Sequence, residues 1–138
     1  MKKIIILIPV FNDWESLKKL LVEIDNSLKD IKDFLFDCLV INDASSIPQP
    51  KIIKPGNFGS IKILNMKENK GHARCNAFGI RYICKNEKFD YIIPMDGDGE
   101  DRPIEIKSLV NKIKEFPKNS VVAKRVKRSE GVFFQFLY

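Results

Sequence analysis

The chain has 138 residues, 44% of them hydrophobic and 30% charged, with a formal net charge of +6. That length predicts one domain with a substantial core, and that balance excludes an intrinsically disordered chain. Half of the net charge falls between Lys124 and Glu130, so the body is only mildly basic, which argues against a nucleic-acid-binding face.

Ile4 to Val10 is a continuous apolar run, predicting a strand buried on both faces. It is too short for a secretory leader, and Asn12-Asp13 stands where a small-residue cleavage site would be needed. Asn12 or Asp13 offers an N-cap to a helix carrying Trp14, Leu17, Leu20, Leu21, Ile24, Leu28 and Ile31 at helical spacing, with Trp14 expected in the core. Phe34 to Ile41 predicts the second strand, ended by Asn42-Asp43. Residues 47–59 hold three prolines and two glycines and predict a loop. Ser60 to Met66 predicts a third strand. A helix follows over His72 to Asn86, its apolar face expected at Ala73, Ala77, Ile80 and Cys84. Phe89 to Met95 predicts the fourth strand. Pro103 suits the first turn of a helix with an apolar stripe at Ile104, Ile106, Leu109, Val110 and Ile113. Val121 to Ala123 predicts a short fifth strand before the basic segment.

Alternating strands and helices predict a mostly parallel sheet in a Rossmann-like three-layer α/β unit. Ligands of such sheets bind at the carboxyl ends of the strands, near a switch in strand order. Asn12-Asp13, Asn42-Asp43 and Asp96-Gly97-Asp98 all follow strand ends and are therefore expected to converge on one edge. The last of these is densest: Asp96, Asp98, Glu100 and Asp101 stand within six residues. Carboxylates this close repel one another and persist where a cation or hydrogen-bond donors compensate them. Such hard oxygen ligands suit Mg²⁺ or Mn²⁺ holding a diphosphate, although Asp and Gly also populate ordinary surface turns. Cys38, Cys75 and Cys84 lack metal-ligand spacing; without a secretory signal they imply reduced thiols and a cytoplasmic location.

In this order the motifs resemble the nucleotide-binding half of family 2 glycosyltransferases with the GT-A fold. The likeness is greatest to the branch of dolichyl- and polyprenyl-phosphate sugar transferases. Ile8-Pro9-Val10-Phe11-Asn12-Asp13 resembles the family's Pro-Val-Tyr-Asn-Glu opening, with Phe for Tyr and Asp for Glu. Val40-Ile41-Asn42-Asp43-Ala44-Ser45 resembles Val-Val-Asp-Asp-Gly-Ser, with Asn42 in place of the first Asp. Asn69-Lys70-Gly71-His72-Ala73-Arg74 resembles the family's Asn-x-Gly-His-x-Arg helix start. Asp96-Gly97-Asp98 stands where the family has its Asp-x-Asp metal motif, and Asp101-Arg102-Pro103 follows as the acidic-proline sequence. Lys124-Arg125 and Lys127-Arg128-Ser129-Glu130-Gly131 resemble the basic strand exit.

The resemblance implies Mg²⁺ or Mn²⁺ as cofactor, with Asp98 as direct ligand and Asp96 on the metal or the ribose. It places Pro9, Phe11, Asp13, Asn42, Asp43, Gly71 and Arg74 around a UDP- or GDP-sugar, with Asp43 accepting from the nucleobase or ribose. Arg125 and Arg128 would clamp the diphosphate. The implied reaction is inverting sugar transfer to a polyprenyl phosphate or a glycan, with no catalytic base assignable in this chain. His72, the single histidine, is expected to cap or pack as readily as to act chemically. The alternatives are a non-catalytic nucleotide-sugar-binding module, one half of a split enzyme, or a nucleotidyltransferase. The last usually has a Gly-rich loop after its first strand, and Phe11-Asn12-Asp13 has none. Residues 1–128 are expected to form the donor-binding domain and 129–138 to start a truncated acceptor segment. The apolar, basic tail would meet a membrane surface at its cytoplasmic face.

Overall fold

Four parallel strands in the order β3-β2-β1-β4 form the sheet of the computed structural model, which describes residues 1–121. In chain order they are β1 (Lys2–Val10), β2 (Phe34–Asn42), β3 (Ser60–Asn65) and β4 (Tyr91–Pro94). The helices are α1 (Trp14–Leu28), α2 (His72–Asn86) and α3 (Ile106–Glu115), the last preceded by a 3₁₀ turn at Pro103–Glu105. Each element lies where the sequence periodicity puts it, to within two residues at most ends. Of the expected Val121–Ala123 strand only Val121 is described, outside any strand, and the domain boundary after residue 128 lies outside the described residues.

The register pairs Lys2 with Phe34 through Val10 with Asn42, so β1 and β2 end side by side. β1 is fully buried from Ile4 to Ile8. Its odd-numbered residues Ile5 and Leu7 join Leu39 and Ile41 of β2 in a cluster with Cys75 and Ile83 of α2. Successive strand residues point to opposite faces, so Ile4, Ile6 and Ile8 face the other side. α1 turns its buried stripe Trp14, Leu17, Leu20, Leu21, Ile24 and Leu28 inward and packs along Pro103–Glu105. Burial of this extent stabilises by roughly 1.5–3 kcal/mol per large side chain.

The apolar face of α2 differs from the expected one. Cys75, Gly79 and Ile83 are buried, whereas Ile80 and Cys84 are exposed. Gly79 decides the outcome. A Cβ there would stand 2.4 Å from Leu7 Cδ1 and 3.2 Å from Ile41 Cγ1, so its missing side chain lets the helix seat closely on β1 and β2. Ile104 likewise leaves its expected stripe and is 68% exposed, because Pro103 begins a 3₁₀ turn and the α-helical register starts only at Ile106.

The 47–59 loop is held by three anchors. Asn57 N–H and amide reach Asp25 of α1, Phe58 is buried, and Lys54 Nζ donates to Phe58 O. The chain divides into two compact units, Met1–Lys107 and Ser108–Tyr138. In the second, the described residues continue α3, whose end is closed by Phe116 N–H on Lys112 O. Among the described residues no helix is long and apolar enough to cross a membrane.

Candidate functional site

After β2 and β3 are laid on one side of β1, the chain returns to place β4 on the other side. The order therefore switches between β1 and β4, and a crevice opens at their carboxyl ends. A cavity of about 190 Å³ occupies this position, lined by Pro9, Val10, Phe11, Asp13, His72, Gly97 and Asp98. A larger hollow of about 330 Å³ lies along α1 beside Arg102 and Pro103, but of the strand-end carboxylates it holds only Asp101. Chemistry rather than volume assigns the site to the smaller one.

The end of β1 is stitched to the turn after β2. Asn12 adopts a left-handed φ of 57°, donates its N–H to Ser45 Oγ at 2.8 Å, and accepts from Ile47 N–H at 3.0 Å. Trp14 is buried and its indole N–H donates to Ile47 O at 2.9 Å, so it belongs to the core as expected. Phe11 stays half exposed beside the cavity. Asp13 caps α1 by accepting from Ser16 N–H at 3.2 Å and still lines the cavity. A second hollow of about 300 Å³, between Asn12–Glu15 and Ile47–Pro50, shares Asp13.

Asn42 and Asp43 turn inward. The Asn42 amide donates to Asn65 Oδ1 at 2.8 Å, joining the ends of β2 and β3, and its Oδ1 accepts from Ser45 N–H at 3.0 Å. Asp43 is 4% exposed, and its two carboxylate oxygens accept Lys70 N–H at 2.7 Å and Gly71 N–H at 2.8 Å. It therefore holds the loop that starts α2, where Gly71 has a φ of 83°. Cys75 lies against the same carboxylate; burial first, then Asp43, pushes its thiol up to about 12, so it stays an unreactive thiol. Ala44 has a φ of 58°, a left-handed turn where the resembled motif has Gly.

The acidic turn is built differently. A Cβ on Gly97 would stand 2.9 Å from Pro9 O, so this glycine lets the turn close onto the end of β1. Asp96 N–H donates to Asp101 Oδ2 at 2.8 Å and Glu100 N–H to Asp98 Oδ1 at 2.9 Å. Asp98 itself is exposed at the cavity wall. The carboxyl of Asp96 is raised above its usual range, first by partial burial; His72 opposes that shift, while Asp101, Asp98 and Glu100 add to it. His72 Nε2 lies 2.9 Å from Asp96 Oδ1. That pairing joins the start of α2 to the acidic turn and has no signature in sequence spacing.

Among the described residues no three His, Cys, Asp or Glu side chains form a preassembled cage for a metal. Mg²⁺ rarely uses such a cage; one or two carboxylates suffice, with phosphate oxygens and water completing its octahedron. Asp96 and Asp98, hard donors two residues apart on a turn beside an open cavity, fit that chemistry. Because His72 lines the cavity, the positive N-terminal end of α2 stands beside it, a suitable neighbour for phosphate. Arg74 is exposed in the first turn of α2. Arg125 and Arg128 lie outside the described residues.

Solved structures with the same architecture include S. aureus TarS residues 1–349, with a TM-score of 0.61 and 18% identity over 94% of this chain and 39% of that one. A second S. aureus TarS structure aligns with a TM-score of 0.57 and 21% identity, covering 83% of this chain and 20% of that one. The fold is that of the GT-A glycosyltransferases. The chain belongs to glycosyl transferase family 2, whose model matches residues 5–138. A curated relative, the uncharacterized protein MJ0544 of Methanocaldococcus jannaschii, is 27% identical over 116 residues, 80% of this chain and 47% of the relative. The chain thus spans about half the length of that relative.

Proposed function

We propose that this domain binds a nucleoside-diphosphate sugar, UDP- or GDP-linked, at the β1/β4 switch point and presents it for transfer to an acceptor. The observation that carries the reading is the convergence of Phe11, Asp13, His72 and Asp98 on one cavity at the carboxyl edge of the sheet. Phe11 offers a half-exposed ring on which a base can stack. Asp98 and Asp96 would hold Mg²⁺ or Mn²⁺. When bound, that ion neutralises charge on the diphosphate leaving group. Arg74 would add positive charge beside the phosphates, and Arg125 and Arg128 would do so from the basic segment. Asn42, Asp43 and Gly71 serve the donor by fixing the loops around it.

The acceptor that fits best is a polyprenyl phosphate rather than a sugar hydroxyl. A phosphate oxygen is already anionic, whereas a hydroxyl needs a base to take its proton. Of the two carboxylates on the cavity wall, Asp98 is assigned here to the cation and Asp13 caps α1. A lipid-linked acceptor also suits a basic, apolar segment at residues 124–138 resting on an anionic membrane. Radiolabelled UDP- and GDP-sugars offered with polyprenyl phosphate vesicles or with soluble glycans test this. Label in the lipid fraction that requires Mn²⁺ is expected. Transfer to a glycan hydroxyl alone would overturn the choice of acceptor. Donor binding with no transfer to either class would leave a nucleotide-sugar-binding module.

A further inference from the structure

His72 is the first residue of α2 and lines the cavity, yet its imidazole is engaged sideways by the acidic turn. Two groups meet the same ring nitrogen: Asp96 Oδ1 at 2.9 Å and the Asn76 side-chain amide at 2.9 Å. One ring nitrogen cannot donate to a carboxylate and also accept from an amide. A lone pair facing Asp96 at this distance would be repulsive, so the proton belongs on Nε2, donated to Asp96. The Asn76 amide then presents its oxygen, because amide orientation is fixed by the network around it. The exchange puts the amide nitrogen in the buried position that Oδ1 otherwise occupies without a partner among the described residues.

We propose that His72 is a positioning residue for the acidic turn, holding one oxygen of Asp96 so that the carboxylate is preset for the cation that accompanies the donor. The inference rests on the reading of Asp96 and Asp98 as the carboxylates that receive that cation. Its physical basis is orientation. Asp96 sits among Asp98, Glu100 and Asp101, and repulsion among them would otherwise swing its carboxylate outward toward water. An N–H donor on one oxygen fixes the group and leaves the other oxygen available. Carboxylate ligands are commonly held in this way by an outer hydrogen bond, and losing such a partner costs about 10- to 100-fold in metal affinity. Both partners are substantially exposed, so the pair contributes little to folding and its removal leaves the fold intact.

The test is Mn²⁺ titration of the full chain, by calorimetry and by the loss of free-ion paramagnetic resonance signal, with and without UDP and GDP. Wild type, His72→Ala, His72→Gln and Asp98→Asn are compared at matched thermal stability. His72→Ala is expected to weaken Mn²⁺ binding about 10-fold or more, with an unchanged melting temperature. His72→Gln, which keeps an N–H donor, is expected to recover most of that loss. Unchanged or tighter Mn²⁺ binding in His72→Ala would overturn the proposal, as would an equal loss in His72→Gln. If Asp98→Asn also binds Mn²⁺ like wild type, the carboxylate reading itself fails. If Asp98→Asn loses binding and His72→Ala does not, only the role of His72 fails.

Discussion

Asp43 and Asp98 both follow a buried parallel strand, and in one dimension they look alike. In the folded chain they diverge. Asp43 is 4% exposed and accepts two backbone N–H groups, whereas Asp98 is exposed on the cavity wall and accepts one, from its own turn. A carboxylate saturated by backbone donors builds a loop. A carboxylate with coordination capacity facing a cavity can receive a cation. The difference is set by other residues in each case: by the distant Lys70-Gly71 turn that reaches Asp43, and by the neighbouring Gly97, which lets the acidic turn close on Pro9.

The largest expected effect follows from the saturated member. Asp43→Ala strands two backbone donors in a buried site and is expected to destabilise the domain by about 3 kcal/mol, read by urea unfolding. A change below about 1 kcal/mol would mean that the loop before α2 does not depend on this carboxylate.

Gly97→Ala moves the acidic turn without removing a charge. The added Cβ meets the Pro9 carbonyl, which cannot yield as a side chain could, so a cost of about 1–3 kcal/mol is expected. Nucleotide binding in Mn²⁺ should fall with it. Full binding with intact stability would show that the turn tolerates displacement.

The mildest perturbation lies beside Asp43. Ala44 holds a left-handed backbone that costs an L-residue roughly 1–2 kcal/mol, and glycine removes that cost while losing part of it to its own unfolded-state freedom. Ala44→Gly is therefore expected to stabilise by about 0.5–1 kcal/mol in thermal unfolding. Destabilisation would show that the strain is not carried there.

Much of this architecture is legible in the sequence because it follows from periodicity. The apolar run Ile4–Val10, the α1 stripe and the glycine-bounded start of α2 each carry a pattern that only one element satisfies. The inward face of α2 escaped such reading. Ala73, Ala77, Ile80 and Cys84 form an apolar stripe as regular as the true one, and only the gap at Gly79 over Leu7 chooses between them. The candidate site is legible in composition but not in connectivity. Three acidic strand ends announce an edge, but hydrogen-bond saturation at Asp43 and the His72–Asp96 pair join residues 24 or more positions apart. No local spacing records them.

The central claim is that the exposed acidic turn, and not the buried one, receives the cation that accompanies the nucleotide. Calorimetry of UDP and GDP with wild type and Asp98→Asn, each with and without Mn²⁺, tests it most directly. Asp98→Asn is expected to change stability by less than about 0.5 kcal/mol, since its side chain is exposed. It should abolish the Mn²⁺-dependent gain in nucleotide affinity and leave the weaker metal-free binding intact. Equal affinity of wild type and Asp98→Asn in Mn²⁺ would contradict the claim.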